Sequence, residues 1–205
     1  MAATPRTTIR PPATPEVTRE HDEREFQVIA DTLAFAAPDD ANDAVKEAKR
    51  YWGTYEGIQG PAGYRIEIPE HWNGGLIMWT RGYGGETEYL TGNNITPSTG
   101  CRNAALEDGY AWAASTYSAN YYDVRAAIED TNKLALNIGD YLAEQHDVQF
   151  DEPTRLLIAG LSMGGHTAAA AVEAETLERA RYKVQYQGAM PVCHAEQNQF
   201  NWLGD

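Results

Sequence analysis

Positive charge is scarce in this sequence. Its 205 residues include 16 lysines and arginines against 30 aspartates and glutamates, so the formal net charge is −14 at pH 7. Nucleic acids and anionic membrane surfaces bind proteins through basic faces. We therefore expect neither a nucleic acid nor a charged membrane surface as a partner.

Long apolar runs are also lacking. No stretch of 18 consecutive apolar residues occurs, so the sequence predicts no helix that spans a membrane. The N-terminus, M-A-A-T-P-R-T-T-I-R-P-P-A-T-P-E, contains no apolar segment of the kind found in an intact signal peptide. The compartment stays open between the cytoplasm and a secreted mature form.

Cysteine is rare, and the two cysteines show no metal-binding pattern. Cys101 and Cys193 have neither C-x-x-C nor zinc-ligand spacing, and they either pair with each other or remain two separate thiols. No G-x-G-x-x-G stretch of the dinucleotide-binding kind follows the glycines at 82, 84 and 85. We therefore expect neither a metal ion nor a cofactor.

The rest of the composition is that of a folded protein. Hydrophobic residues make up 42% of the chain and aromatic residues 10%, which suits one domain with a sizeable core. Residues 1–20, rich in Pro, Thr and Arg, predict a disordered lead-in. Residues 21–50 predict a helical segment, with Asp40 or Asn42 capping its second helix. Residues 51–205 then form the main domain.

Strand-like and helical patterns alternate through the main domain. Three short strands come first and suggest an antiparallel meander at a sheet edge, and later strands are apolar throughout, as expected for burial on both faces. The predicted strands are 51–57, 63–69, 74–80, 111–117, 155–160 and 186–192, and the predicted helices are 120–145 and 163–181. The pattern predicts an α/β fold with a mostly parallel, doubly wound sheet and an antiparallel N-terminal edge.

The first of these helices has a single apolar stripe. Val124, Ile128, Thr131, Ala135, Ile138 and Leu142 recur at spacings of three and four residues. The flanking charged residues are predicted to face water, namely Arg125, Glu129, Asp130 and Asp140.

A serine lies between two glycines where the strand 155–160 meets the helix 163–181. The segment G-L-S-M-G (160–164) fits G-x-S-x-G, in which a tight strand-to-helix turn lifts the serine hydroxyl above the sheet. Ser162 is then the candidate nucleophile, and the Met163 amide at the start of the helix is a candidate donor to an oxyanion. The structural alternative is that Ser162 only fills a tight turn or caps the helix.

At this point the chain resembles the α/β-hydrolase superfamily, and more narrowly its bacterial esterase-like and peptidase-like members. These carry P-x-x-W-N-G before the third strand, and the matching segment here reads P-E-H-W-N-G-G-L-I-M-W-T-R-G-Y-G-G (69–85). The resemblance extends from Tyr51 to the last residue. It implies an α/β-hydrolase fold, truncated after about the sixth strand, and the activity of a serine hydrolase.

The resemblance also implies a second oxyanion donor. In the family, the amide that follows an H-G pair after the third strand has this role, and the matching residue is Tyr83 in R-G-Y-G-G (81–85). The family's histidine, which braces the loop, is Arg81 in this chain. Arg81 either braces the loop through its larger set of donors or selects an acidic substrate.

A serine nucleophile needs a base and an acid that orients the base. In the family both follow the serine on later strands, and only 43 residues follow Ser162 here. We therefore expect an N-terminal half that ends where a cap begins, with the acid and the histidine in a C-terminal half. His194 is the one candidate for a substitute base, with Glu196 and Asp205 as weaker candidate acids, whereas His166 is expected to pack against the sheet.

The sequence therefore predicts a serine hydrolase, a carboxylic-ester hydrolase in the first instance, which forms an acyl-enzyme on Ser162. A serine peptidase of the same fold is the alternative within the class, since esters and amides pass through similar intermediates. A catalytically inactive hydrolase-like module that binds a ligand or a protein is the alternative from another class. The expected partners are a small-molecule ester or peptide substrate and the C-terminal half.

Overall fold

The computed structural model describes residues 24–193. Two sheets are present in this range. A parallel pair is formed by β1 (Gln27–Val28) and β5 (Tyr89–Leu90). The large sheet contains six strands, which are β2 (Lys49–Glu56), β3 (Pro61–Ile68), β4 (Gly75–Thr80), β6 (Ala111–Ser115), β7 (Arg155–Leu161) and β8 (Gly188–Val192).

Five α-helices accompany the strands in the described part of the chain. They are α1 (Asp43–Glu47), α2 (Thr99–Glu107), α3 (Val124–His146), α4 (Met163–Ala171) and α5 (Ala174–Arg179). Within residues 24–193, none of these helices combines the length and the apolar character that crossing a bilayer requires.

The strand order of the large sheet is β2-β3-β6-β4-β7-β8. Strand β3 is antiparallel to both of its neighbours, and all other pairings are parallel. The predicted mostly parallel sheet with an antiparallel N-terminal edge is confirmed. The predicted three-strand meander is wrong in its last strand, because β6 lies between β3 and β4. Only β2 and β3 form a hairpin, closed by the turn at 57–60.

Helices cover both faces of the sheet, as the doubly wound prediction requires. On one face, α3 and α4 pack against Met78 of β4 and Ala113 of β6. On the other face, α1 and α2 pack against Trp79 and Trp112, the neighbouring residues of the same two strands. Side chains that alternate between two covered faces explain why these strands are apolar throughout.

The N-terminal segment is less helical than the sequence predicts. Between residues 24 and 50, α1 is the one α-helix and corresponds to the predicted second helix, whereas β1 and a 3-10 turn at 30–32 lie where the first helix was predicted. Tertiary contacts decide this conformation, since β1 pairs with β5 and the Arg65 guanidinium donates to the carbonyls of Thr32 and Leu33. Asn42 caps α1 as predicted, because its side chain accepts from the Val45 amide at 3.0 Å.

The solvent-facing side of α3 is also narrower than predicted. Arg125 and Asp140 are exposed, but Glu129 and Asp130 are buried. Glu129 accepts hydrogen bonds from the amides of Arg181 and Tyr182, at 2.8 and 2.9 Å. The prediction was wrong because a second segment covers this flank of the helix. The predicted helix 163–181 is likewise interrupted, with α4 ending at Ala171 and α5 beginning at Ala174.

Candidate active site

Ser162 lies at the turn between β7 and α4, in a backbone conformation that is rare for a residue with a side chain. Its φ is 59° and its ψ is −123°. Its side chain is exposed and makes no capping hydrogen bond to the helix. The observed geometry therefore does not support the helix-cap alternative, and the hydroxyl lies open to solvent at the carboxyl end of the parallel strands.

The two flanking glycines are required by close backbone contacts. A Cβ atom at Gly160 would collide with the Thr80 hydroxyl and with the carbonyl oxygen of Gly164. A Cβ atom at Gly164 would collide with the carbonyl oxygen of Thr80. The end of β4 thus lies directly against the serine turn, and neither position leaves room for a larger residue.

Thr80 connects the serine turn to β4 by hydrogen bonds. This last residue of β4 is fully buried, and its hydroxyl lies 2.7 Å from the Gly164 carbonyl oxygen and 3.0 Å from that of Ala159. Thr80 was not among the site residues predicted from the sequence. The signal was a polar residue that ends an otherwise apolar strand.

The first turn of α4 is held in place by contacts on two sides. The Met163 side chain is buried against Tyr117 and Ala127. On the other side of the turn, the Ser162 amide donates to the Val192 carbonyl of β8 at 3.0 Å. The amide of Met163 belongs to the first turn of α4, where backbone N–H groups have no partner within the helix. It is suited to hydrogen-bond a negatively charged oxygen beside Ser162.

The loop that follows β4 lies against the serine turn. A Cβ atom at Gly82 would lie 3.6 Å from Cβ of Ser162 and 3.3 Å from the Leu161 carbonyl oxygen. The structure therefore brings the R-G-Y-G-G segment and the G-L-S-M-G segment together. Tyr83 follows Gly82, and its side chain is exposed, with its hydroxyl donating to Glu86 at 3.1 Å.

Arg81 braces this loop. Its side chain is 2% exposed, and its Nη2 donates to the Thr116 carbonyl at 2.7 Å and to Oδ1 of Asn120 at 3.0 Å. Its guanidinium also lies over the Tyr117 ring, 4.5 Å from the ring centre. Burial lowers the pKa of Arg81 from its ordinary value. These contacts favour the bracing interpretation over contact with an acidic substrate.

Among residues 24–193, no histidine ring forms a hydrogen bond with the serine hydroxyl. His146 ends α3 and packs on Tyr51, roughly 34 Å along the helix from its first turn. His71 precedes β4 and lies by the amino ends of the parallel strands, whereas Ser162 lies at their carboxyl ends. His166 is half-buried on α4, and its Nδ1 lies 3.3 Å from the Tyr122 hydroxyl. His166 thus contacts Tyr122, in the segment after β6, and its packing against the sheet stays a prediction.

Several candidates from the sequence lie outside the described residues. These are His194, Glu196 and Asp205, the substitute base and the weaker acids. The two cysteines are not joined to each other, since Cys101 and Cys193 are both free thiols. Among residues 24–193, no group of three or more histidine, cysteine, aspartate or glutamate side chains is arranged to hold a metal ion.

A buried carboxylate supports the segment that receives Arg81. Asp130 of α3 accepts hydrogen bonds from the amide and the hydroxyl of Ser118, at 2.5 and 2.6 Å, and from the Ile58 amide at 2.7 Å. Burial raises its pKa to about 6, against the opposing effect of these hydrogen bonds. This role was not predicted from the sequence, because a charged residue next to an apolar stripe is usually solvated.

The chain is similar in fold to α/β serine hydrolases of known structure. An α/β serine hydrolase homologue from Coxiella burnetii is 15% identical, with a TM-score of 0.42, over 61% of this chain and 58% of that one. An α/β serine hydrolase without a lid from Xanthomonas campestris is 17% identical, with a TM-score of 0.42, over 71% of this chain and 61% of that one.

A third structure belongs to a longer protein. The acylaminoacyl peptidase of Pyrococcus horikoshii is 14% identical, with a TM-score of 0.42, over 68% of this chain and 22% of that one. No protein-family model matches the chain, and no curated protein matches it. The chain thus spans about three fifths of the length of the two shorter hydrolases and about a fifth of the peptidase.

The strand arrangement of the chain itself identifies the fold. Numbered within the large sheet, its strands lie in the order 1-2-4-3-5-6, with the second strand antiparallel and the strained serine directly after the fifth. The fold is that of an α/β-hydrolase. An α/β-hydrolase sheet presents its ligand site at the carboxyl ends of the parallel strands, where Ser162 and the 81–85 loop meet.

Proposed function

We propose that the protein is a serine hydrolase that cleaves carboxylic esters through an acyl-enzyme on Ser162. The observation that carries this proposal is the serine turn itself. Ser162 keeps a strained backbone conformation, with φ at 59° and ψ at −123°, and its exposed side chain forms no capping bond. Strain of this kind costs about 1–3 kcal/mol and persists where a site uses it.

The proposed reaction begins when the Ser162 hydroxyl oxygen attacks the ester carbonyl carbon. The hydroxyl proton passes to a base, and the carbonyl oxygen becomes an oxyanion. The amides of Met163 and Tyr83 donate to that oxygen, and each such donor contributes about 3 kcal/mol in known cases. The tetrahedral intermediate expels the alcohol, which takes the proton from the base, and water then hydrolyses the acyl group from Ser162.

The base is assigned outside the described residues. Between residues 24 and 193, no histidine ring hydrogen-bonds to the Ser162 hydroxyl. His194 follows β8 by two residues, and β8 is the strand that receives the Ser162 amide. Within this chain His194 is therefore the candidate base, and a C-terminal half of the same enzyme is the other source proposed for the base and its acid.

The test is the hydrolysis of a short-chain p-nitrophenyl ester by the protein and by Ser162→Ala. Turnover should fall in the variant by about 1,000-fold or to the rate in buffer, because the acyl-enzyme cannot form. Ser98→Ala is the matched control, since Ser98 also precedes a helix, is exposed and makes no capping hydrogen bond. It should leave the rate unchanged. Equal turnover by the protein and Ser162→Ala would refute the proposal.

A fluorophosphonate probe supplies a second readout, since it labels serines that are activated as nucleophiles. Labelling should occur at Ser162 and be absent from Ser162→Ala. A p-nitroanilide with the same acyl group separates the ester hydrolase from the peptidase alternative, since a peptidase cleaves both compounds. A folded protein with neither turnover nor labelling would leave the inactive binding module as the better description of this chain.

A further inference from the structure

Asn120 lies in the segment that follows β6, where it contacts both ends of the loop carrying Tyr83. Its side chain is 3% exposed. Its Oδ1 accepts from Nη2 of Arg81 at 3.0 Å, at the start of the loop. Its Nδ2 donates to the carbonyl oxygens of Thr87 and Tyr89, at 2.7 and 3.0 Å, at the end of the loop. One side chain thus joins two points that are six or more residues apart in the chain.

We propose that Asn120 is the positioning residue of the 81–89 loop, which it holds closed at both ends so that the Tyr83 amide stays beside Ser162. The catalytic part of this inference rests on the proposed function, whereas the positioning of the loop does not. Asn120 acts through Arg81 and the loop backbone, and its own contacts are with these groups and not with the serine.

The geometry explains why an asparagine is suited to this position. The site needs an acceptor on the side of the guanidinium and donors on the side of the two carbonyls, and an amide presents both. An apolar side chain would leave the carbonyls of Thr87 and Tyr89 without this part-buried donor. The loop also passes close to the pair, since a Cβ atom at Gly84 would lie 2.6 Å from Oδ1 of Asn120.

The segment that carries Asn120 is itself held in place. Tyr117 and Tyr121 have positive φ angles of 60° and 63°, which fix the course of the backbone on either side of Asn120. The Asp130 carboxylate holds Ser118 from α3, and the Tyr121 amide donates to the Gly85 carbonyl at 3.0 Å. Asn120 therefore connects the loop to a support that is anchored on a long helix.

The test compares Asn120→Ala with Asn132→Ala by hydrogen exchange and by ester turnover. Asn132 is a matched control because it is 1% exposed, donates to the Tyr182 carbonyl and accepts from the Tyr186 hydroxyl, away from the loop. Both variants should lose thermal stability. Only Asn120→Ala should speed amide exchange in the 82–90 segment, by about 10-fold or more, because only this variant releases the loop.

The kinetic prediction follows from the position of the Tyr83 amide. Asn120→Ala should lower kcat by about 10- to 100-fold with a KM within about 3-fold, since displacement of a catalytic group by about 1 Å costs up to 100-fold. Asn132→Ala should keep the kcat of the unaltered protein at temperatures where both remain folded. Equal loss of kcat in the two variants would show a general effect of destabilisation and would overturn the proposal, as would unchanged exchange in Asn120→Ala.

A second variant, Asn120→Asp, tests the inference if Asn120→Ala does not fold. Asn120→Asp keeps the shape of the side chain and the oxygen that accepts from Arg81, but it replaces the donor to Thr87 and Tyr89 with a second oxygen. Exchange should rise at residues 86–90, and unchanged exchange there would refute the inference. If the unaltered protein shows no turnover that depends on Ser162, the proposed function fails, and the exchange experiment still decides the role of Asn120.

Discussion

Two neighbouring regions form the candidate site, and they are held in place by different means. The serine turn is fixed by close backbone contacts, since neither Gly160 nor Gly164 leaves space for a Cβ atom. The 81–89 loop is fixed by buried polar side chains, chiefly Arg81 and Asn120. These two side chains hydrogen-bond to each other although they are about forty residues apart in the sequence. The turn keeps its conformation only while its two glycines carry no side chain, whereas the loop keeps its conformation through hydrogen bonds.

This difference determines how each region should respond to change. A rigid backbone turn tolerates no added atom, but it contains no group that titrates. A loop held by buried polar contacts can lose them one at a time, and the carboxylate behind it can gain a proton. We therefore expect steric substitutions to act on the turn and pH to act on the support of the loop.

The largest effect is expected from Gly164→Ala. The added methyl group would collide with the Thr80 carbonyl oxygen, a backbone atom that cannot turn away. We expect a loss of about 3 kcal/mol or more in the free energy of unfolding, at the upper end for an overpacked site. Urea denaturation measures this loss.

The control for this substitution is Gly100→Ala in α2. No atom lies within 4 Å of a Cβ atom placed at Gly100, so the variant should be as stable as the unaltered protein or gain up to about 1 kcal/mol. If Gly164→Ala were as stable as Gly100→Ala, the turn would be able to widen, and the contrast with the loop would disappear.

The serine turn was predictable from the sequence because its requirements are local. Five consecutive residues, 160–164, contain the glycines and the serine, and the apolar strand before them sets the context. The alternation of buried strands and helices gave the fold class for the same reason, since each pattern lies within one short segment. The strand order could be predicted only in part, because the position of β6 between β3 and β4 depends on pairing between distant segments.

The support of the loop was not predictable in the same way. Arg81 was singled out only by resemblance, and nothing in the neighbourhood of Asn120 in the sequence marks it as a partner. Asp130 was expected to face water, because the 3.6-residue period shows where apolar residues lie but not which polar residue is covered. Buried polar contacts of this kind join segments that are far apart in the chain, and their partners are visible only in the fold.

A pH experiment tests the support of the loop. Because the pKa of Asp130 is about 6 in the folded protein and 3.8 for an ordinary aspartate, the folded state binds a proton that the unfolded state releases between these values. Stability should therefore fall as pH rises from about 4 to about 6, by up to roughly 3 kcal/mol. The penalty is absent below the lower pKa and complete above the higher one.

The variant for this experiment is Asp130→Asn, which should remove that part of the pH dependence while losing some stability at every pH. Asp140→Asn, a substitution of an exposed acid on the same helix, is the control and should keep the slope of the unaltered protein. Urea midpoints at pH 4, 5, 6 and 7 give the comparison. Parallel curves for all three proteins would mean that Asp130 stays charged in the folded state, and the loop support would then be no more sensitive to pH than the turn.

The smallest effect concerns the strain stored at Ser162. Alanine at this position keeps the unfavourable φ of 59°, whereas glycine adopts it freely. Ser162→Gly should therefore be more stable than Ser162→Ala by about 1 kcal/mol, the relief of strain less the chain entropy that glycine loses on folding. Replacing alanine by glycine inside α4, in Ala169→Gly, should instead cost about 1 kcal/mol. If glycine is more stable than alanine at position 162 but less stable at position 169, the strain lies at the serine. If glycine is less stable at both positions, the turn holds residue 162 without strain.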